Sequence, residues 1–146
     1  MPCLAKDGIV LTETISIPAR VENLYELLSW VDEKMVKAGL DSSALNKILL
    51  ASEEIFVNIA NYAYAEREGF VLVKYMMFEG GAAIEFRDNG TPFNPLQNKA
   101  PDLSAPLEQR PIGGLGVFIL KNFMDDIHYR YENGQNVLYI GIRSKS

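Results

Sequence analysis

EEIFVNIANYAY, residues 53–64, is the stretch of sequence on which the interpretation of the whole chain depends. It ends a predicted helix that begins near residue 44 and carries a broad apolar face. Glu54, Asn58 and Asn61 are spaced four and three residues apart, so we expect them to share one helix face beside the apolar one. A polar stripe bordering a core face often lines a cleft. The alternative is an ordinary solvent-facing stripe.

This stripe has the residue types of a magnesium-nucleotide site. The side-chain oxygen of Asn58 is a hard, neutral ligand suited to Mg²⁺, which takes few protein ligands and otherwise uses phosphates and water. Glu54, one turn earlier, can accept a proton from an attacking hydroxyl or water. Glu53 is a competing carboxylate, but it is about 100° around the helix, and we expect it to face solvent.

A second group of polar residues, Asp88-Asn89-Gly90-Thr91-Pro92, directly follows a predicted strand. A carboxylate at Asp88 can accept a hydrogen bond from an exocyclic amine. Gly90 has no Cβ, so a flat ring can approach the backbone closely. The alternative interpretation is a β-turn, because Asp, Asn, Gly and Pro all favour turns.

A third group, Ile112-Gly-Gly-Leu-Gly116, precedes a predicted helix over residues 116–123. Glycines at a helix N-terminus leave backbone N–H groups free to bind an anion; the alternative is a flexible hinge. No Lys-Ser/Thr follows, which excludes the Walker pattern, and no βαβ unit surrounds it, which excludes the Rossmann pattern. The preceding loop, 89–112, is long enough to predict an active-site lid, with a disordered linker as the alternative.

The remaining elements predict the fold class. Asn133-Gly134 and Gly80-Gly81 are hairpin turn signals. The predicted strands are 9–17, 70–78, 82–86, 126–131 and 136–142, and an amphipathic helix runs from residue 21 to about Gly39. This order predicts an α+β fold in one domain over residues 1–146, with helices on one face of a mixed, mostly antiparallel sheet.

Composition excludes several classes of function. The chain has 146 residues and a net charge of −5 with scattered basic residues, so we expect no nucleic-acid partner. One cysteine (Cys3) and one histidine (His128) exclude an internal disulfide and a usual zinc site. No signal-peptide pattern and no apolar run of about 20 residues is found, so we expect a cytoplasmic protein without a membrane partner. The sequence contains no G-x-S-x-G motif, which disfavours a hydrolase.

The three motifs together resemble a known family. EEIFVNIANYAY resembles the N box of the GHKL ATPases, which include gyrase, MutL and histidine kinases; DNGTPF resembles their first glycine box and GGLGVFILKNFMD the second. Length and motif spacing are most similar to the bacterial anti-sigma factor serine kinases. The resemblance implies a two-layer α/β sandwich of the Bergerat (histidine kinase-like ATPase) type, with an ATP lid at about residues 89–113.

The resemblance also implies roles for individual residues. Glu54 matches the general base, Asn58 the magnesium ligand, Asp88 the adenine-binding aspartate and Gly90 the glycine beneath the ring. Arg110 or Lys121 would stabilise the transferring phosphoryl group, with a solvated surface charge as the alternative for each. The remaining implied nucleotide contacts are Asn61, Tyr62, Pro92, Phe93, Gly113, Gly114, Leu115, Gly116, Val117 and Asn136.

Two positions depart from the family pattern. Tyr62 stands where many anti-sigma kinases have a His, and Gln135 and Asn136 stand in the stretch where many members have a Thr near the adenine. Both of the latter side chains can hydrogen-bond, so we still expect nucleotide binding.

The resemblance implies an ATP- and Mg²⁺-dependent protein serine/threonine kinase of anti-sigma type, acting in transcription regulation. Its partners would be a sigma factor or similar regulator and a STAS-type antagonist, which it would phosphorylate on serine, and it would form a homodimer. The alternative is a nucleotide-gated protein-binding module without kinase activity. A stand-alone sensor kinase is disfavoured, because His128 lies in a predicted strand and no dimerisation helix precedes the core.

Overall fold

The computed structural model describes residues 8–64, 68–97 and 114–144. Five strands form one sheet in the order β1-β2-β3-β5-β4, and every neighbouring pair is antiparallel. The strands are β1 (Ile9–Pro18), β2 (Phe70–Phe78), β3 (Gly81–Asp88), β4 (Asp126–Glu132) and β5 (Gln135–Arg143). The α-helices are α1 (Leu24–Lys37), α2 (Ser42–Asn58) and α3 (Gly114–Phe123).

The predicted α+β sandwich is confirmed, but among the described strands the sheet is purely antiparallel rather than mixed. The reason lies in the connection between β1 and β2. Two successive helices, α1 and α2, carry the chain away from the end of β1 and back to it, so that Phe70 pairs with Pro18. A strand that starts beside the end of the previous one has to run in the opposite direction.

Both predicted hairpins are present. In the first, Phe78 pairs with Gly81, so the turn is Glu79-Gly80 and Gly81 begins β3, one residue earlier than the predicted Gly80-Gly81 turn. The second turn lies at the predicted residues. Asn133 and Gly134 both have positive φ, 54° and 75°, as a two-residue type I′ turn needs. This turn pairs Glu132 with Gln135 and thereby fixes the register of the whole β4–β5 ladder. Register matters here because β5 carries residues of the site described below.

The hydrophobic core lies between the three helices and one face of the sheet. Each helix contributes an apolar stripe, and alternate residues of the central strands face it. Fully or almost fully buried members include Leu27, Val31 and Met35 of α1, Ile48, Ile55 and Phe56 of α2, Leu120 of α3, and Val73, Tyr75, Ile84, Phe86 and Ile140 of the sheet.

The N-terminal half of β1 differs from the expected pattern. A register shift between Ile9 and Leu11 interrupts the ladder with β2, and both side chains are exposed. The inward row therefore reduces to Ile15 and Ile17, preceded by Glu13, whose carboxylate accepts a hydrogen bond of 2.8 Å from Lys34. None of the described helices is long and apolar enough to cross a bilayer.

Candidate functional site

A cavity of about 180 Å³ opens where the end of α2 meets the ends of β3 and β5. Its walls are mainly apolar, with a few polar groups, as is usual for small-molecule sites. The apolar wall residues include Ile55, Ile59, Ala63, Phe86, Leu120 and Leu138. Six of the residues singled out in the sequence also line it: Asn58, Tyr62, Asp88, Pro92, Phe93 and Asn136. The cavity therefore brings together the N-box-like helix, the Asp88 segment and the last hairpin.

Asp88 is the buried carboxylate of this cavity. It ends β3 on the face that the helices cover, and its residue is only 5% exposed. Its Oδ1 atom accepts two hydrogen bonds of 2.9 Å, from the backbone N–H of Gly90 and from Nδ2 of Asn136. Both of these bonds end on the same oxygen, so Oδ2 keeps its capacity to accept a bond from a ligand donor.

Gly90 packs against the end of the N-box-like helix. A Cβ built on Gly90 would collide with the carbonyl oxygen of Ala63 and stand 2.6 Å from its carbonyl carbon. The neighbouring Thr91 N–H donates a 2.9 Å hydrogen bond to that same Ala63 oxygen. Close packing of protein on protein thus requires glycine here. Gly90 does not line the cavity, and the approach of a ring to its backbone stays a prediction.

Tyr64 links three segments of the chain through its hydroxyl group. Its hydroxyl donates a 2.6 Å hydrogen bond to the carbonyl of Phe70 at the start of β2, and it accepts a 2.8 Å bond from the backbone N–H of Asn89. The segment after Asp88 is therefore held to both the helix end and the sheet.

The helix that carries the polar stripe changes its winding at the site. α2 ends at Asn58, and Ile59–Ala63 forms a π-helical turn, a feature often found at functional sites. This winding alters the spacing that a regular α-helix would give. Asn58 and Tyr62 line the cavity, whereas Asn61 is exposed and is not among its lining residues. The expectation that Asn61 shares the cavity face with Asn58 is therefore not met in this arrangement.

Glu54 lies one turn before Asn58 and contacts the third motif. A Cβ built on Gly116 would collide with Oε2 of Glu54 and stand 3.0 Å from its Cδ. Burial, and secondarily the negative charge of Glu53, raise the pKa of Glu54. Glu53 itself is exposed, as expected. A partly buried carboxylate with a raised pKa is a better proton acceptor than an exposed one, which suits a general base.

The third motif is described only from Gly114 onward. The backbone of Gly114 and Leu115 begins α3, Gly116 faces Glu54, and Val117 is buried at 2% exposure without lining the cavity. Arg110 and Gly113 lie outside the described residues, as does most of the predicted lid, which is described only to residue 97. Lys121 is exposed in the last turn of α3, at the end opposite the glycines, which favours the surface-charge alternative for it.

The donor set fits a magnesium ion that is bound mainly through phosphate. Within the described ranges, no three His, Cys, Asp or Glu side chains come close enough to form a metal cluster. Asn58 is half-buried on the cavity wall, with the Glu54 carboxylate one turn away. Mg²⁺ usually takes one or two protein oxygens together with water and substrate phosphates, and the side-chain oxygen of Asn58 can supply one.

The sequence reading missed Tyr129, which lines the cavity and donates a hydrogen bond to Oδ1 of Asn136. A signal for it was present. The two-residue turn at Asn133-Gly134 fixes the β4–β5 register, which places Tyr129 opposite Leu138 and on the same face of the sheet as Asn136.

Comparisons with known proteins identify the domain family. The profile of the histidine kinase-like ATPase domain matches residues 17–142. The chain is similar to serine-protein kinase RsbW of Listeria monocytogenes, at 29% identity over 132 residues, which cover 86% of this chain and 83% of that protein. It is also similar to serine-protein kinase RsbW of Bacillus cereus, at 29% identity over 128 residues, with coverage of 85% and 80%.

A solved structure has the same fold. The structure of the RsbU and RsbW domains of Rv1364c from Mycobacterium tuberculosis superposes with a TM-score of 0.66 at 14% sequence identity. The superposition covers 92% of this chain and 32% of that longer one.

Proposed function

The chain belongs to the histidine kinase-like ATPase domain family, and from this premise we propose that it binds Mg²⁺-ATP and phosphorylates a serine of a regulatory protein. The observation that carries the proposal is the convergence of the motifs. Asn58 and Asp88 line one cavity, and Glu54, one turn from Asn58, lies against Gly116. Segments far apart in the chain would thus supply an adenine acceptor, a magnesium ligand and a proton acceptor in one region.

The base would be recognised through Asp88. Its Oδ2 atom would accept a hydrogen bond from the exocyclic amine of adenine, while the apolar walls would pack against the ring. Guanine presents a carbonyl oxygen at the equivalent position, which would face the carboxylate without a proton between them. Two buried acceptors that face each other without a proton lower the affinity for GTP, so the site should select ATP over GTP.

The triphosphate would extend from the cavity toward the start of α3. Bound Mg²⁺ would neutralise charge on the phosphates. Asn58 would hold the ion through its side-chain oxygen, and the free backbone N–H groups of the first turn of α3, from Gly114, would face the phosphates. Gly113 and Arg110 remain proposed contacts from the lid side.

Glu54 would act as the general base. It would take the proton from the serine hydroxyl as the serine oxygen bonds to the γ-phosphorus. The bond from that phosphorus to the β–γ bridging oxygen would break, and ADP would leave. Two observations support this role. The position against Gly116 brings a carboxylate oxygen beside the start of α3, and the raised pKa of Glu54 makes that oxygen more basic.

The biological role that we propose is regulation of transcription. The protein would act as an anti-sigma-type kinase that binds a sigma factor or similar regulator, phosphorylates a STAS-type antagonist and works in the cytoplasm as a homodimer. Support comes from the similarity over most of the chain to two proteins named serine-protein kinases.

A nucleotide-gated binding module without kinase activity is the second candidate, and one observation favours it. Asn136 bonds both Asp88 and the backbone N–H of Phe93, within the predicted lid. Nucleotide binding at Asp88 could therefore change the lid, and through it a partner surface, without any phosphate transfer.

Thermal unfolding with and without saturating Mg²⁺-ATP tests the nucleotide site, with Mg²⁺-GTP as control. Ligand at about 100 times its Kd adds about 2.7 kcal/mol to the free energy of unfolding. That corresponds to a rise of roughly 10 °C in Tm for a domain of this size. An ATP-selective rise supports the proposal; no rise with either nucleotide would contradict it. Transfer of radiolabelled phosphate to a purified STAS-type antagonist then separates the kinase from the binding module.

A further inference from the structure

We infer that Asn136 is a positioning residue, which sets the orientation of Asp88 and anchors the start of the lid to the sheet, and that it does not bond the nucleotide itself. The inference rests on the proposed ATP site, because Asp88 is the adenine acceptor there. It differs from the role that the resemblance implied for Asn136, which was a direct contact to the cofactor.

The hydrogen-bonding capacity of the Asn136 side chain is used up within the protein. Nδ2 donates to Oδ1 of Asp88 and to the carbonyl of Thr91, both at 2.9 Å, with a longer approach of 3.5 Å to the carbonyl of Gly90. Oδ1 accepts from the backbone N–H of Phe93 at 3.0 Å and from the Tyr129 hydroxyl. A carboxamide has two N–H donors and two lone pairs, so an incoming base would have to displace one of these bonds.

The orientation of this amide is fixed by chemistry. A backbone N–H can only donate and an ionised carboxylate can only accept, so the oxygen must face Phe93 and the nitrogen must face Asp88. Burial, partly opposed by the hydrogen bond with the Phe93 backbone, raises the pKa of Tyr129. Its hydroxyl therefore stays protonated and donates to the remaining lone pair. Asn136 is 6% exposed, so water does not compete readily for these partners.

Two consequences follow for the site. Because Nδ2 of Asn136 and the N–H of Gly90 both occupy Oδ1 of Asp88, the other carboxylate oxygen is the one left for a ligand. Because Asn136 also holds Thr91 and Phe93, the backbone just after Gly90 is attached to β5, a strand of the rigid sheet. A single side chain therefore links the orientation of the adenine acceptor to the position of the lid base.

Two measurements on the full chain test this role: hydrogen exchange of backbone amides in the nucleotide-free protein, and the Kd for Mg²⁺-ATP by calorimetry. N136A should speed exchange of the Phe93 amide by about tenfold or more and weaken ATP binding by about tenfold or more. Exchange of the Tyr75 amide in the interior strand β2, which reports global unfolding, should speed up less than that of Phe93. A general loss of structure would accelerate both amides equally.

Gln135→Ala is the matched control. Gln135 is the adjacent residue, its side chain accepts a 3.4 Å bond from Arg87 on the opposite face of the sheet, and it does not line the cavity. Q135A should change neither readout. Y129F keeps the ring but removes the hydroxyl, which donates to Asn136 and is also hydrogen-bonded to the Phe93 backbone. Its ATP affinity, which should fall by about two- to fivefold, is therefore the readout that tests Asn136. It decides the question if N136A does not fold.

Three results would overturn the inference. Weaker ATP binding in N136A, with Phe93 exchange as in wild type, would make Asn136 a direct ligand. Unchanged ATP affinity in N136A would show that Asn136 does not set the orientation of Asp88. Equal changes in Q135A would show that the effect is not specific to Asn136. If the wild-type protein bound no ATP, the proposed function would fail. Exchange at Phe93 in the nucleotide-free variants would then still decide whether Asn136 anchors the lid base.

Discussion

The carboxylate of Glu54 occupies the space that a side chain at position 116 would need. A Cβ on Gly116 would collide with Oε2 of Glu54 and stand 3.0 Å from Cδ and 3.4 Å from Cγ. The two residues are far apart in sequence, one on α2 and one on α3, yet each restricts the other. Glycine at 116 therefore leaves room for the proposed general base beside the start of α3.

Gly116→Ala should displace the Glu54 carboxylate and slow phosphate transfer by about 100-fold, while ATP affinity changes by less than about threefold. The fold should survive, because the colliding atoms belong to the end of a flexible side chain and Ala favours a helix over Gly by about 1 kcal/mol. The measurement is phosphate transfer from ATP to a STAS-type antagonist, with calorimetry for binding. Asn122→Ala, at an exposed position of the same helix, is the control. Equal loss in both variants would refute this interpretation of Gly116.

Glu54→Gln should reduce phosphate transfer by about 100-fold to 10,000-fold, because an amide cannot accept the hydroxyl proton, while Mg²⁺-ATP should still bind. Glu53→Gln is the matched control: its residue is adjacent, also acidic and exposed. A substantial rate in E54Q would mean that another group takes the proton. Loss of ATP binding in E54Q would instead place Glu54 in the binding of the nucleotide or its magnesium.

The pH profile of phosphate transfer gives an independent check of the base. A general base at Glu54 has to be ionised to work, so under the proposed mechanism the rate should fall as the pH drops through its pKa, which burial and then Glu53 raise above the ordinary value of 4.5. Removing the Glu53 charge in E53Q should move this acidic limb to lower pH. An acidic limb that does not move in E53Q would argue that the limb belongs to a different group.

The same raised pKa has a consequence for stability. Between the unfolded and folded pKa values of Glu54 the folded protein binds more protons than the unfolded chain, so this group makes stability fall as pH rises through that window. In E54Q the residue at position 54 does not ionise, so it causes no such fall in the free energy of unfolding. At neutral pH its Tm should therefore equal or exceed that of wild type, with the difference shrinking as the pH falls below the window.

The fold was predictable from sequence because its signals are local. The Asn133-Gly134 turn, the alternation in the central strands and the apolar spacing of α1 each specify one element, and the order of elements then leaves few sheet topologies. What the pattern could not give was the purely antiparallel sheet. That depends on α1 and α2 returning the chain to the end of β1, which is a property of helix packing rather than of any single segment.

The site was predictable to the extent that its residues sit in motifs. Asn58, Asp88 and Phe93 do line the cavity, but Asn61 does not, because the π-helical turn after Asn58 breaks the α-helical spacing on which its assignment depended. No periodicity in the sequence indicates such a turn. The saturated hydrogen bonding of Asn136 was equally hidden, since it requires β3, β4 and β5 to be placed side by side before its partners can be counted.

Asp88→Asn should change which nucleotide is preferred. Gly90 N–H and Asn136 Nδ2 are both donors, so they should keep the oxygen of the new amide on their side and turn its nitrogen toward the ligand. A donor there opposes the adenine amine and suits the carbonyl of guanine. ATP affinity should fall by about 100-fold, and the ratio of GTP to ATP affinity should rise by at least about tenfold, measured by calorimetry. Equal losses for both nucleotides would show that Asp88 does not contact this edge of the base.

Gly90→Ala should destabilise the protein, in contrast to Gly116→Ala, because the two added methyl groups meet different kinds of atoms. At position 90 the collision is with the backbone carbonyl of Ala63, which also accepts the hydrogen bond from Thr91 and cannot turn aside as a side chain can. Overpacking of this kind costs about 1–3 kcal/mol, which chemical denaturation measures directly.

Ala63→Gly decides whether the backbone is the obstacle. It removes the Ala63 Cβ, which would stand 2.5 Å from the new methyl group, but leaves the colliding carbonyl in place. The double variant G90A/A63G should therefore recover little of the stability lost in G90A beyond the separate effect of A63G. Full recovery would show that the side chain of Ala63, and not its backbone, makes glycine necessary at position 90. Full recovery would require the helix end and the Asp88 segment to separate slightly. We do not expect this, because the Tyr64 hydroxyl is hydrogen-bonded to both Phe70 and Asn89 and holds the two segments together.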